Sequence, residues 1–214
     1  MSDFESLRAE MVEWQLQARG IRDPLVLGAM GTVPREEFVG RALRHDAYAD
    51  HPLPIGDDQT ISQPYVVGLM LQAAELRTAD RVLEVGTGSG YVAAVLGRIA
   101  REVWSIERMP QLATTATSRL ARLGHDNVHI VQADGTLGLA AHAPYDAIIV
   151  SAAGPSAPPA LLDQLADGAK LVMPVEQPNG WQQLAAISQR HGKWHSDHLG
   201  SVRFVRLIGE YGWR

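Results

Sequence analysis

The chain has 214 residues, 46% of them hydrophobic and 20% charged, which fits one water-soluble globular domain with a modest extension. Its formal charge of −5 gives no electrostatic case for binding nucleic acid or an anionic membrane, and no apolar run approaches the ~18 residues needed to span a bilayer. Cysteine is absent, which excludes disulfides, thiolate nucleophiles and zinc–thiolate sites; residues 1–5 lack the basic start and apolar core of an export signal, so the expected location is the cytoplasm.

In chain order, Leu7, Met11, Trp14 and Ala18 recur at the steps of one helical face, and Gly20 is a plausible stop. Asp23-Pro24 reads as a cap with proline in the first turn of the apolar run 25–30, and Val33-Pro34-Arg35-Glu36-Glu37-Phe38 is a second such start. Residues 51–59, rich in proline, glycine and aspartate, are predicted as an irregular surface loop. Pro64 suits the first turn of a helix that turns Val67, Met70 and Ala74 to a core.

From Arg81 the pattern alternates. Short apolar strands are predicted at 81–85, 103–106, 128–131, 146–150 and 170–175, with helices at 91–100, 110–123 and 158–166. This order implies an α/β fold, a mostly parallel sheet covered on both faces. In the tail, 183–188 and 202–208 are strand-like with a polar turn or hairpin between them, giving an antiparallel edge. The division is therefore a helical and substrate-loop extension (1–78), a cofactor-binding core (79–175) and C-terminal strands (176–214), all in one domain.

The sharpest local signal is Val82-Leu83-Glu84-Val85-Gly86-Thr87-Gly88-Ser89-Gly90-Tyr91. Glycines at alternate positions let the backbone turn sharply after a buried strand and approach a ligand at a helix start. A tight strand–helix connection alone would also use such glycines. A dinucleotide fingerprint would need G-x-G-x-x-G, but Tyr91 stands where its third glycine belongs. Glu84, two residues before the first glycine, suits a cofactor with an ammonium group and no pyrophosphate; S-adenosylmethionine has both properties. Glu107 closes the second strand and can accept hydrogen bonds from both ribose hydroxyls, and Asp134-Gly135 after the third strand can meet an adenine edge.

Gln59-Thr60-Ile61-Ser62-Gln63-Pro64, preceded by Leu53-Pro54-Ile55-Gly56, resembles the signature loop of the protein-L-isoaspartate (D-aspartate) O-methyltransferase family. The similarity extends through 33–39, the glycine loop, Ser105-Ile106-Glu107-Arg108, 143–150 and the tail Val202-Arg203-Phe204-Val205. The resemblance implies a Rossmann-like methyltransferase fold with additions at both ends. It implies methyl transfer from S-adenosylmethionine to the free α-carboxylate of an L-isoaspartyl residue in damaged proteins and peptides. The products would be S-adenosylhomocysteine and an ester that cyclises spontaneously to a succinimide. It places Glu84 and the glycines Gly86 and Gly88 near the methionine part, Glu107 at the ribose, and Asp134 and Gly135 at the adenine, with Thr87, Ser89 and Arg108 among the cofactor contacts. Thr60 and Ile61 join the cofactor contacts, Gln182 is a further one, and Ser62 lies beside the transferred methyl as the catalytic candidate; Asp58 is a weaker one. No metal is implied, and the expected state is a monomer. Glu176, where the family usually has glycine, and Arg206, where proline is common, bear on peptide preference.

A related enzyme modifying aspartate in a dedicated peptide is the alternative reading; a non-catalytic binding module and a dinucleotide oxidoreductase stand behind it. His191, His195 and His198 are read as scattered surface histidines, and Trp14, Trp104, Trp181 and Trp194 as core or cleft packing.

Overall fold

The computed structural model describes residues 4–214; Met1–Asp3, part of the segment read for an export signal, lie outside the described residues. Helix α1 (Phe4–Glu10) continues into a π-helical segment (Met11–Leu16) and a 3₁₀ turn (Gln17–Arg19) that ends at Gly20 in the left-handed region. The wider π turn moves the buried face by one residue per turn. Met11 and Leu16, five apart, are buried, and Trp14, expected on that face, is 64% exposed. Helix α2 (Pro24–Thr32) starts as its sequence implies, with the Asp23 carboxylate accepting from the N–H groups of Leu25 and Val26. The second start yields only a 3₁₀ turn (Arg35–Phe38).

The segment expected as an irregular loop is a hairpin. Strand β1 (Leu53–Gly56) pairs antiparallel with β2 (Gln59–Ile61), and the buried Leu53 and Ile61 face each other across it. Gly56, Asp57 and Asp58 all take positive φ and make the turn, so the polar composition marks a tight reversal between two very short strands. Helix α3 (Pro64–Ala73) follows, with Val67, Met70 and Ala74 buried as expected.

The main sheet has β3 (Arg81–Val85), β4 (Glu102–Glu107), β5 (Val128–Gln132), β6 (Tyr145–Val150), β7 (Leu165–Glu176), β8 (Gln182–Arg190) and β9 (Lys193–Val202), ordered β5-β4-β3-β6-β7-β8-β9. The first five run parallel, and β8 and β9 add an antiparallel edge. Helices α4 (Tyr91–Ile99), α5 (Pro110–Arg122) and the one-turn α6 (Pro159–Leu162) connect the strands. Alternate residues feed two apolar layers. Val82, Val103, Ala147 and Val172 pack with α2, α3 and α4, while Leu83, Ile106, Ile148 and Leu171 pack with Leu161 and Leu207 on the other face.

Two boundaries differ from the sequence reading. The helix expected at 158–166 is cut to α6 because β7 already begins at Leu165 and bulges before rejoining β6 at Lys170. The last strand is Lys193–Val202 rather than 202–208; β9 is an edge strand with most side chains in water, so it carries no apolar alternation. Residues 203–208 leave the ladder and run beneath the strand ends, bridging at Ala153 and Arg206. Among the described residues no helix is long and apolar enough to cross a membrane.

The chain passes from β3 outward to β4 and β5, then returns to β6 on the opposite side of β3. The carboxyl ends of β3 and β6 therefore flank the switch point, where open α/β sheets bind their ligands.

Candidate active site

At that switch point Gly86, Gly88 and Gly90 all take positive φ (92°, 53° and 89°), so the turn from β3 into α4 depends on residues without a Cβ. The hairpin lies over this turn. A Cβ on Gly88 would stand 3.3 Å from Ile55 Cδ1, so β1 packs directly on the glycine loop. Below the hairpin is a cavity of about 850 Å³, its open mouth included. It gathers Thr60, Ile61 and Ser62 from the hairpin side, Glu84 to Ser89, Glu107 and Arg108, and Gly135. These are most of the residues that the sequence singled out, drawn from four separate segments.

Glu84 is fully buried, yet its Oε1 has no hydrogen-bond partner. Its Oε2 accepts from the Ser105 hydroxyl, which in turn contacts the Thr87 hydroxyl at 2.6 Å. Burial pushes the Glu84 carboxyl up to about 8, against the Ser105 hydrogen bond that lowers it and with the nearby Glu107 charge raising it further. A buried acceptor left open on a cavity wall fits a cationic donor such as an ammonium group. Glu107 accepts from the N–H groups of Gly88 and Met109, both at 2.9 Å, one on each oxygen. Each oxygen keeps a lone pair, so the carboxylate can receive a vicinal diol. Two acids facing one cavity also disfavour a pyrophosphate. The donor set thus fits S-adenosylmethionine.

Two expected contacts stand elsewhere. Asp134 Oδ1 accepts from the N–H and hydroxyl of Thr136, and Oδ2 accepts from the Glu210 N–H. Burial raises its pKa, but these hydrogen bonds outweigh that and hold it below the ordinary carboxylate value. Asp134 therefore ties the C-terminal segment to the cavity floor, while its neighbour Gly135 lines the cavity. Gly135 has no room for a side chain, since a Cβ would meet Val85 Cγ1 at 2.4 Å. Gln182 is not brought to the cofactor cavity; its carboxamide makes paired bonds to the backbone of Phe204. Asp58 sits in the hairpin turn, and at the N-terminus of α3 the Tyr65 N–H already has Asp50 beside it at 3.4 Å.

A second cavity adjoins the first. Thr60, Ser62, Ser151 and Val205 line both, so Ser62 stands at their junction. Ser62 is held from behind by Arg35, whose Nη2 donates to the Ser62 carbonyl at 2.6 Å and whose Nε donates to the Ala47 carbonyl at 2.7 Å. The guanidinium is fully buried, lies 4.7 Å from the Tyr91 ring centroid, and has its pKa lowered by burial. Ser151 and Arg35 were missed as site residues. Ser151 follows the buried apolar run Ala147–Val150 at the switch point, a position that alone could have flagged it.

Of the two departures noted, Arg206 lines the first cavity with its guanidinium 4.7 Å from the Trp213 ring centroid, and Glu176 ends β7. His195 and His198 are exposed on β9, as expected of surface histidines, and no metal-capable cluster occurs among the described residues. Trp194, expected to pack, is 44% exposed on the same strand.

A family model described as protein-L-isoaspartate(D-aspartate) O-methyltransferase matches residues 7–212. Among curated proteins, the chain is 53% identical over 211 residues to protein-L-isoaspartate O-methyltransferase 2 of Pelobacter propionicus, covering 98% of this chain and 93% of that one. It is 52% identical to protein-L-isoaspartate O-methyltransferase 1 of Syntrophobacter fumaroxidans, covering 100% and 99%. Among solved structures, a putative protein-L-isoaspartate O-methyltransferase from Plasmodium falciparum in complex with S-adenosyl-L-homocysteine superposes with a TM-score of 0.81 at 28% identity, covering 97% and 99%.

Proposed function

Because the chain belongs to the protein-L-isoaspartate(D-aspartate) O-methyltransferase family, we propose a division of labour between its two cavities. The protein is an S-adenosylmethionine-dependent methyltransferase acting on L-isoaspartyl residues of damaged proteins, the first step of their repair. The observation that supports the division is the junction itself: one cavity carries the acids suited to the cofactor, the other is lined by no acid, and they meet at Thr60, Ser62 and Ser151.

The cofactor supplies an electrophilic methyl on a sulfonium sulfur. In this reading Glu84 holds the ammonium, Glu107 the ribose diol, and Gly135 lets the adenine lie close to the end of β3; Asp134 acts through the C-terminal segment it fastens. The hairpin above the glycine loop excludes water with Ile55, Thr60 and Ile61. The substrate α-carboxylate, with an ordinary pKa near 4, is already ionised at pH 7, so no residue need act as a base. Its oxygen forms the new bond to the methyl carbon in line, the carbon–sulfur bond breaks, and the electron pair stays on sulfur. The chain's contribution is to desolvate and aim the reacting groups, with the Ser62 hydroxyl donating to the carboxylate.

The reading extends to one domain working as a cytoplasmic monomer on proteins and peptides rather than nucleic acid, the last point supported by the net charge of −5. Ser62→Ala is expected to lower turnover of an isoaspartyl peptide by about ten- to hundredfold through lost orientation, while cofactor affinity stays within about twofold. Full turnover in that variant, measured with labelled methyl groups, removes Ser62 from the reaction.

A further inference from the structure

The wall of the second cavity opposite α3 is built around an aromatic residue held out into solvent. Trp181 is 67% exposed, but its backbone is pinned on both sides: the Gln177 N–H donates to its carbonyl at 2.7 Å, and its own N–H donates to Asn179 Oδ1 at 3.1 Å. The next residue, Gln182, donates from Nε2 to the Phe204 carbonyl at 3.1 Å and accepts from the Phe204 N–H at 2.6 Å. Gln182 also pairs with Val202 across the β8–β9 ladder. The turn bearing Trp181 and the segment 202–205 are thereby one fixed unit, which faces Pro52 and Val66 across the cavity. An exposed indole on a pinned turn is presented at little further entropic cost.

We propose that this cavity is a side-chain subsite for the residue adjacent to the isoaspartyl group, and that Trp181 makes it select large apolar side chains. The proposal rests on the isoaspartyl reading above and adds a substrate preference to it. Continuity places the occupant: the reacting carboxylate sits at the Ser62 junction, and an extended chain advances roughly 3.5 Å per residue, so a direct neighbour reaches the second cavity. Lining chemistry sets its nature. Pro52, Val66, Trp181, Val202, Phe204 and Val205 are apolar, and the charged lining residue is Arg203, which disfavours a basic neighbour.

The test is kcat/KM for the full chain on one peptide scaffold with Trp, Leu, Gly, Lys or Glu placed immediately before or immediately after L-isoaspartate. At one of the two flanks, Trp and Leu are expected to exceed Gly by about tenfold, expressed mainly in KM, with Lys lowest. In Trp181→Ala the Trp and Leu peptides should fall to the level of Gly, and Trp181→Phe should keep the order. Equal values across the series, a preference for Glu, or an apolar preference that survives Trp181→Ala overturns the subsite while leaving isoaspartyl methylation standing. Methylation of none of the peptides by a chain that binds S-adenosylmethionine overturns the isoaspartyl reading and the subsite with it.

Discussion

Glu84→Gln is expected to weaken S-adenosylmethionine binding by at least about 100-fold and yet to stabilise the ligand-free protein near pH 8.5. Both effects come from one carboxyl group that is fully buried and pushed up to about 8, against an ordinary value of 4.5. Below pH 4.5 Glu84 is neutral in the folded and unfolded chains alike. Between 4.5 and about 8 the unfolded chain ionises while the folded one holds its proton, so stability falls as pH rises, and above 8 the loss is complete. Glutamine keeps the shape and has no such loss, so its melting temperature should exceed the parent's by about 5 °C at pH 8.5 and converge with it near pH 4. The ammonium of the cofactor reverses the balance. A cation beside Oε1 favours the ionised form, so binding at pH 7 should release a proton, and affinity should rise with pH up to about 8. Calorimetric titration in phosphate and in Tris reads the proton directly. Binding by Glu84→Gln within a few-fold of the parent, or a buffer-independent heat, contradicts this role.

Arg35→Met is expected to lower kcat/KM by about 100-fold, with cofactor affinity at Glu84 largely kept, because it acts on Ser62 from behind. A buried guanidinium whose partners are two backbone carbonyls and an aromatic face is costly to desolvate, and its two bonds span the extension to the Ser62 loop. Methionine fills similar space but leaves the Ala47 and Ser62 carbonyls without this donor, at a stability cost of about 2–4 kcal/mol. Arg35→Lys keeps the charge and can reach one carbonyl, so it should recover part of the rate. A melting curve separates the effects: if all activity returns when the assay is run well below the variant's melting temperature, Arg35 is only a structural residue.

The cofactor half of the site was legible because its chemistry is local. Gly86, Gly88 and Gly90 follow a buried strand within one segment, and Glu84 and Glu107 each occupy a position fixed by the strand that carries it. The substrate half depends on tertiary relations that no short pattern encodes. The hairpin from Leu53 to Ile61 hid behind turn residues, because strands of four and three residues have almost no period to read. β9 lies at an edge where both faces meet water, so its side chains could not announce a strand, and Phe204, Val205, Leu207 and Ile208 carried the signal instead. Trp14 was misplaced because a π turn breaks the four-residue step on which its helical face was counted. Arg35 was read only as part of a helix start; its partners are carbonyls 12 and 27 residues away.

The most direct measurement is transfer of labelled methyl groups from S-adenosylmethionine to a matched pair of peptides, one with L-isoaspartate and one with L-aspartate at the same position. Transfer to the isoaspartyl peptide alone, as a base-labile ester, is the result that the two joined cavities and the family predict. Equal transfer to both peptides, or cofactor binding with transfer to neither, would contradict it and point to an enzyme dedicated to aspartate in a peptide of its own.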